Sequence, residues 1–341
     1  MFTLRRLEPS EIDWARLDSF SDRVIFQTQA WLNFVSETQN GEPVVAEISN
    51  ESGTVGYFSG VMLRKAGIPI LGSSFPGWTT PYMGFNLAPG VSRASLLPVF
   101  EGWVCRELKC LHFEISDLNF TPEDATGLGF TQAAYETYRT DLMQSEDELF
   151  SRMTSACRRC IRKAEKSGVS IEEENDESFA DEYYEQLKDV FAKQGKTPTY
   201  GVDRVRSLLR HVLPSGNLLL LRARAADGTC IGTGIYPGLN KTAEFWGNAS
   251  WREHQHLRPN ETLHWYAMRY WKSRGAEMFD WGGGGEYKEK YGAAPLRVPW
   301  FYKSRYKWVG TARDHLRSLY YRARPLIGRL SGKNTVAPHD E

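Results

Sequence analysis

The stretch FDWGGGGEYKEKYG, residues 279–292, gathers residue types that can do chemistry. Four consecutive glycines leave the backbone uncovered, at an entropic cost no other residue type incurs, so a ligand can come close to the bare chain. Asp280 precedes them, and Tyr287 and Lys288 follow. A second concentration is charge. Residues 152–166 hold Arg152, Arg158, Arg159, Arg162, Lys163 and Lys166 against the single acid Glu165. Arg158, Arg162 and Lys166 are spaced by four and share one helical face, as do Arg159 and Lys163. Such a face either grips phosphate, with arginine making the bidentate contacts, or is a solvated surface balanced by the acids just downstream. Cys157 and Cys160 form a C-x-x-C inside the same run, but no second Cys or His pair completes a zinc set. No G-x-S-x-G is present, so no covalent nucleophile is signalled.

These residues need elements to hold them. Residues 43–49 and 54–65 read as a strand pair, 92–108 as a helix and 111–116 as a strand. In the second half, 217–225 and 229–236 pair through Ala-Asp-Gly, 242–248 adds a strand, a helix runs from Pro259 to Arg274, and 277–281 is a strand. The order strands, helix, strand recurs at an offset of about 165 residues, which favours two related α/β units in a mixed α/β (α+β) chain. Pro259 suits a first helical turn and Gly275 a stop, and Leu263, Tyr266, Ala267, Tyr270 and Trp271 fall along one face. A helix over 146–167 joins the halves.

The totals narrow the class. The 341 residues carry no net charge, so no global field draws the chain to nucleic acid or lipid. Eleven tryptophans and sixteen tyrosines suit a filled core, and also sugar or base faces. Five cysteines without a disulfide framework, no opening signal peptide and no apolar run near the roughly 20 residues of a membrane span point to a soluble, cytoplasmic protein. Residues 297–333 nonetheless hold ten Lys or Arg against Asp314 alone. Leu316, Leu319, Tyr320, Ala323, Leu326, Ile327 and Leu330 recur there at helical spacing. That tail either packs on the body or lies on an anionic membrane at its inner face.

Three blocks carry a resemblance. TYRTDLMQSEDELFSRMTSACRRCIRKAEKSGVSIEE is similar to the junction segment of the Fem-type transferases, and RPNETLHWYAMRYWKSRGAEMFDWGGGGEYKEKYG to their second-domain signature. FQTQAWLNF resembles the family's early Trp segment, so the likeness spans residues 25–305 in order. The resemblance implies tandem duplicated acetyltransferase-like (GNAT) folds: a first domain over 1–145, a second over 146–310, and a basic C-terminal tail with a short amphipathic helix over 311–341. It also implies an enzyme that moves an acyl or aminoacyl group onto an amine of a cell-envelope or exopolysaccharide precursor.

Amine attack on an ester or thioester makes an oxyanion and must release a proton, so the site needs a donor and a proton route. By the resemblance Lys288 stabilises the oxyanion or leaving group, Asp280 orients Lys288 or accepts a proton, and Gly283 and Gly284 offer backbone N–H groups. Trp31 resembles an acceptor-side tryptophan suited to a sugar or uracil ring, with Arg159 and Lys163 for pyrophosphate. Arg258 and Asn260 at the mouth of the 259–274 helix, together with Trp246 and Tyr287, complete the expected substrate contacts. The implied donors are acyl-CoA or aminoacyl-tRNA, without metal; the implied acceptor is a nucleotide-sugar, lipid-linked or polysaccharide precursor. No glycine stands in WREHQHLRPN, where the pyrophosphate loop of CoA-using acetyltransferases belongs. Two alternatives stand beside this reading. One is a tRNA-dependent aminoacyl transferase acting on a peptidoglycan precursor; the other is a non-catalytic glycan-binding module at the membrane surface.

Overall fold

The computed structural model describes residues 1–311, 313 and 315, apart from 66, 76, 193 and 194. The apolar stripe over 316–330, expected to form an amphipathic tail helix that packs on the body or meets a membrane, lies outside the described residues. The chain divides into two compact units: Met1–Glu136 with the strand that returns at Arg297, and Thr137–Leu296.

The first unit runs β1 (Thr3–Arg6), α1 (Trp14–Asp18), α2 (Gln29–Gln39), β2 (Glu42–Asn50), β3 (Gly53–Lys65), β4 (Ile68–Gly72), β5 (Gly84–Leu87), α3 (Arg93–Arg106) and β6 (His112–Ser116). The β2–β3 hairpin closes where Asn50 accepts from the Ser52 N–H and Gly53 takes φ +112°, which suits only a residue without Cβ. β4 then lies antiparallel to β3, and β6 enters parallel to β4 after α3. Ser92 caps α3, which buries Leu96, Leu97, Phe100 and Trp103. Phe58 and Phe100 sit 4.7 Å apart in a core that includes Phe85, Phe113 and Phe301. At about 1.5–3 kcal/mol for each large apolar side chain buried, this cluster drives the folding of the unit.

After β7 (Thr131–Asp141) the second unit runs α4 (Glu146–Arg152), α5 (Ser155–Lys166), β8 (Ser170–Glu174), α6 (Phe179–Ala192), α7 (Val202–Val212), β9 (Leu218–Arg224), β10 (Cys230–Leu239), β11 (Thr242–Glu244), β12 (Gly247–Ser250), α8 (Pro259–Ser273) and β13 (Met278–Asp280). β14 (Ala294–Ser304) closes the described strands and pairs with β6. The second unit repeats the first one's plan: β9, β10 and β11 form an antiparallel meander, and β13 enters parallel to β11 after α8. The duplication read in the sequence is therefore a duplication of topology. Leu263, Ala267 and Trp271 of α8 are buried with Met268, and Tyr266 and Tyr270 pack at the margin of that core.

Two elements depart from the sequence reading. The helix expected over 146–167 is two helices, because Thr154 caps α5 by accepting from the Cys157 N–H while its own N–H donates to the Lys290 carbonyl at 3.0 Å. The strand expected over 242–248 breaks after β11. Phe245 still donates to the Asp280 carbonyl at 2.8 Å, whereas Trp246 donates to Ile235, and β12 pairs with β10. Beyond Asp280, the chain after β13 therefore has no strand bonded to it on the β11 side among the described residues.

Candidate active site

The tetraglycine run begins where β11 and β13 part. Asp280 ends β13 and is fully buried, with Glu244 and Arg139 as its register partners on the two flanking strands. Its carboxylate accepts from the Thr137 hydroxyl, from Arg139 Nε at 2.9 Å and from the Gly282 N–H at 2.9 Å. These contacts fix the first glycine to the end of the strand. Gly282 and Gly283 then take φ +57° and +48°, left-handed values that side chains resist.

Lys288 lies in the short helical turn Glu286–Tyr291 and is 1% exposed. Its ammonium donates to the carbonyls of Gly282, Gly283 (3.0 Å) and Gly284 (3.3 Å). An ammonium has three N–H donors, and three backbone acceptors receive them. Each peptide unit is planar and trans, so carbonyls drawn toward Lys288 turn the N–H of the following residue the other way. Two of these N–H groups, those of Gly284 and Gly285, have no acceptor among the described residues. Burial pushes the Lys288 pKa down to about 8, opposed by the negative charge of Asp280. Asp280 thus acts on Lys288 through space, while its own oxygens serve the loop and Arg139.

The turn is braced from below. Lys290 pairs with Glu261 in the first turn of α8 at 2.8 Å and lies 4.9 Å over the Tyr291 ring. Tyr291 stacks on Trp281 at 4.5 Å, and the Trp281 indole donates to the Thr140 hydroxyl at 3.0 Å. His264 packs against both rings and bonds the Tyr236 hydroxyl at 2.9 Å. Burial lowers its pKa to about 3, so it is a neutral part of the core. The C-x-x-C is no reactive pair in this setting: Cys157 belongs to the same core, and burial pushes its thiol up to about 12.

Tyr287 is 54% exposed, its ring 5.7 Å from the Lys288 ammonium. Arg159 and Lys163 stand exposed on α5, whose first turn meets the Lys290 carbonyl through Thr154. Arg258 is exposed just before α8 in a left-handed conformation, φ +63°, and Asn260 follows with a buried Oδ1 that no donor reaches. Trp246 is half-buried at the break between β11 and β12, 5.6 Å from Tyr200, its indole N–H without an acceptor. Trp31 corrects its expected role. It is completely covered in the first unit, edge-on to Phe26 and Phe34 and donating to Thr80 at 2.9 Å, so it presents no face to a sugar. Thr137 and Arg139 were missed by the sequence reading. Polar residues at alternate positions of YETYRTD, beside a strand ending in Asp, are the signal that finds them.

Residues 151–301 match the family model described as an acetyltransferase (GNAT) domain. Among solved structures, FemX is 12% identical with a TM-score of 0.72, over 87% of this chain and 96% of that one. A tandem GNAT protein from the clavulanic acid biosynthesis pathway is 12% identical with a TM-score of 0.51, over 89% and 98%. The C-terminal domain (DUF2156) of a putative lysylphosphatidylglycerol synthetase from Agrobacterium fabrum is also 12% identical with a TM-score of 0.51, over 85% and 91%. At this identity the likeness is one of fold. No curated protein matches in sequence.

Proposed function

We propose that this chain is a GNAT-like acyltransferase of Fem type that moves an acyl or aminoacyl group onto an amine of a cell-envelope or exopolysaccharide precursor. The acetyltransferase domain match over residues 151–301 and the tandem GNAT fold support this reading. One observation carries the reading: the Lys288 ammonium gathers three glycine carbonyls and presents the opposite, N–H side of the loop where the strands part. Backbone N–H groups placed in advance are what a tetrahedral oxyanion requires, and they act without reorganising during the reaction. In this scheme the amine attacks the donor carbonyl directly, and Gly284 and Gly285 donate to the oxygen as it becomes charged. The intermediate then collapses with loss of the thiol or alcohol leaving group. Lys288 is a positioning residue whose charge strengthens those peptide dipoles. The attacking nitrogen gives up one proton to solvent, and the departing sulfur or oxygen takes one up from solvent as it leaves.

The phosphates of donor or acceptor have two candidate holders, Arg159 and Lys163 on α5, and Arg258 with the α8 amides after Asn260. Trp246 and Tyr287 supply ring faces for a sugar or base. The approach to α8 favours a second reading, a tRNA-dependent aminoacyl transferase acting on a peptidoglycan precursor. Residues 252–257 form a short helical turn rather than a glycine loop, and such a turn lacks the consecutive open amides that wrap a pyrophosphate. Incubating the full chain with acetyl-CoA or with charged tRNA, each with a precursor mixture, separates the two by which donor loses its acyl group. If neither donor is consumed under any acceptor condition, transfer itself is refuted and the glycan-binding reading takes its place.

A further inference from the structure

After β14 the chain runs through Arg305, Tyr306, Lys307 and Trp308, all exposed. Trp308 is 66% exposed and Tyr306 45%, and their rings stack at 6.3 Å with 9° between planes. A tryptophan left this open forgoes most of the stabilisation its burial provides, and here two aromatic rings stand out side by side. The cations around them are arranged as well. Arg305 sits 5.4 Å from the Tyr306 ring and donates to the Cys105 carbonyl at the end of α3, beside exposed Arg106. Lys307 is exposed between the two rings in sequence.

The segment is also anchored. Arg313 donates to Glu114, which is 4% exposed and also meets His112 at 3.2 Å, and its guanidinium lies 5.0 Å over Tyr302. Residues 307–311 are helical, so this tether holds the first turn of that helix to the unit while Trp308 faces outward.

We infer that residues 305–308 are a docking surface for an anionic lipid bilayer. Amphipathic rings belong at the level of lipid headgroups, and Lys or Arg beside them gain from the negative surface potential. Charge complementarity selects this occupant: between Arg297 and Lys333 the sequence places ten cations and one acid, in a chain whose net charge is zero, so the rest of the chain is acidic. A nucleic acid needs a basic groove that follows several phosphates, whereas these cations cluster at one strand end. No described helix is long and apolar enough to cross a bilayer, so this contact is peripheral.

The test is co-sedimentation of the full chain with vesicles of phosphatidylcholine alone, and with an equal part of phosphatidylglycerol. Wild type should pellet with the anionic vesicles only. The double variant Tyr306→Ala, Trp308→Ala should lose about tenfold in partitioning, and Lys307→Glu about fivefold, with unchanged circular dichroism. Lys288→Met should pellet like wild type, which keeps this result separate from the catalytic reading. The inference is overturned if wild type binds both vesicles equally or neither. It is also overturned if the double variant binds fully, since binding then resides beyond residue 315. Loss of polyuridylate binding in the same double variant, without loss of vesicle binding, would assign the surface to nucleic acid instead.

Discussion

Replacing Lys288 with methionine keeps an unbranched side chain one atom shorter and removes its charge, which separates the two things this residue does. A lysine whose pKa falls from 10.5 to about 8 on burial carries a penalty of about 3 kcal/mol for its charged form. Below about pH 8 the group is protonated in folded and unfolded chain alike, so its contribution is constant. Between about pH 8 and 10.5 the unfolded chain keeps the proton and the folded chain releases it, so this group's contribution to stability rises with pH. Activity should move the opposite way, because a neutral amine has two N–H donors for three carbonyls and no charge to polarise them. We expect kcat/KM of the wild type to fall about tenfold for each pH unit above about 8, with no loss of thermal stability from this group. The Lys288→Met variant escapes the penalty and forfeits three charge-assisted hydrogen bonds, which offset each other to within a few kcal/mol. Its melting temperature should shift by no more than about 10 °C in either direction, while turnover falls about a hundredfold or more, as when an oxyanion-hole donor is lost. The assay is single-turnover acyl transfer across pH 7–10, with calorimetry on the same samples. Activity within threefold of wild type, or a flat profile through pH 9, refutes the positioning role.

Gly284 has an ordinary φ, and an added Cβ there meets nothing within 4 Å. Gly284→Ala should therefore leave the melting temperature unchanged and yet slow transfer, measured as kcat, since the methyl group occupies open space beside the proposed N–H donors. Trp31→Phe should lower stability by about 1–3 kcal/mol in denaturant titration, through the lost Thr80 bond and ring volume, and leave acceptor KM unaltered. Asp280→Ala releases Gly282 and leaves Arg139 without its buried carboxylate. It should cost about 3–5 kcal/mol of stability, and unfolding by urea checks the value.

The elements were legible wherever local signals agreed. Pro259 and Gly275 bracket α8 as read, and the β2–β3 and β9–β10 hairpins follow their turn residues. The breaks were not legible, because they are set by bonds from distant chain. Thr154 caps α5 and meets Lys290, and residues 242–248 split because Phe245 and Trp246 find different strands. The site shows the same division. FDWGGGGEYKEKYG marks the loop and the lysine, but not that the lysine would face the glycines' own carbonyls. That depends on the fold of the 286–291 turn. Trp31 failed as a predicted contact because a tryptophan's exposure is decided by what packs over it, and Phe26, Phe34 and Thr80 do so.

The hydrogen bond from Thr154 to the Lys290 carbonyl gives the molecule a mechanical linkage. It rivets the start of the basic helix to the segment that carries the buried ammonium two residues earlier. A load on Arg159 or Lys163, such as a polyanion drawn against α5, is thereby transmitted to the Lys288 turn through a strut one bond long. Thr154→Pro, at a φ of −57° that proline accepts, removes the N–H and with it the strut.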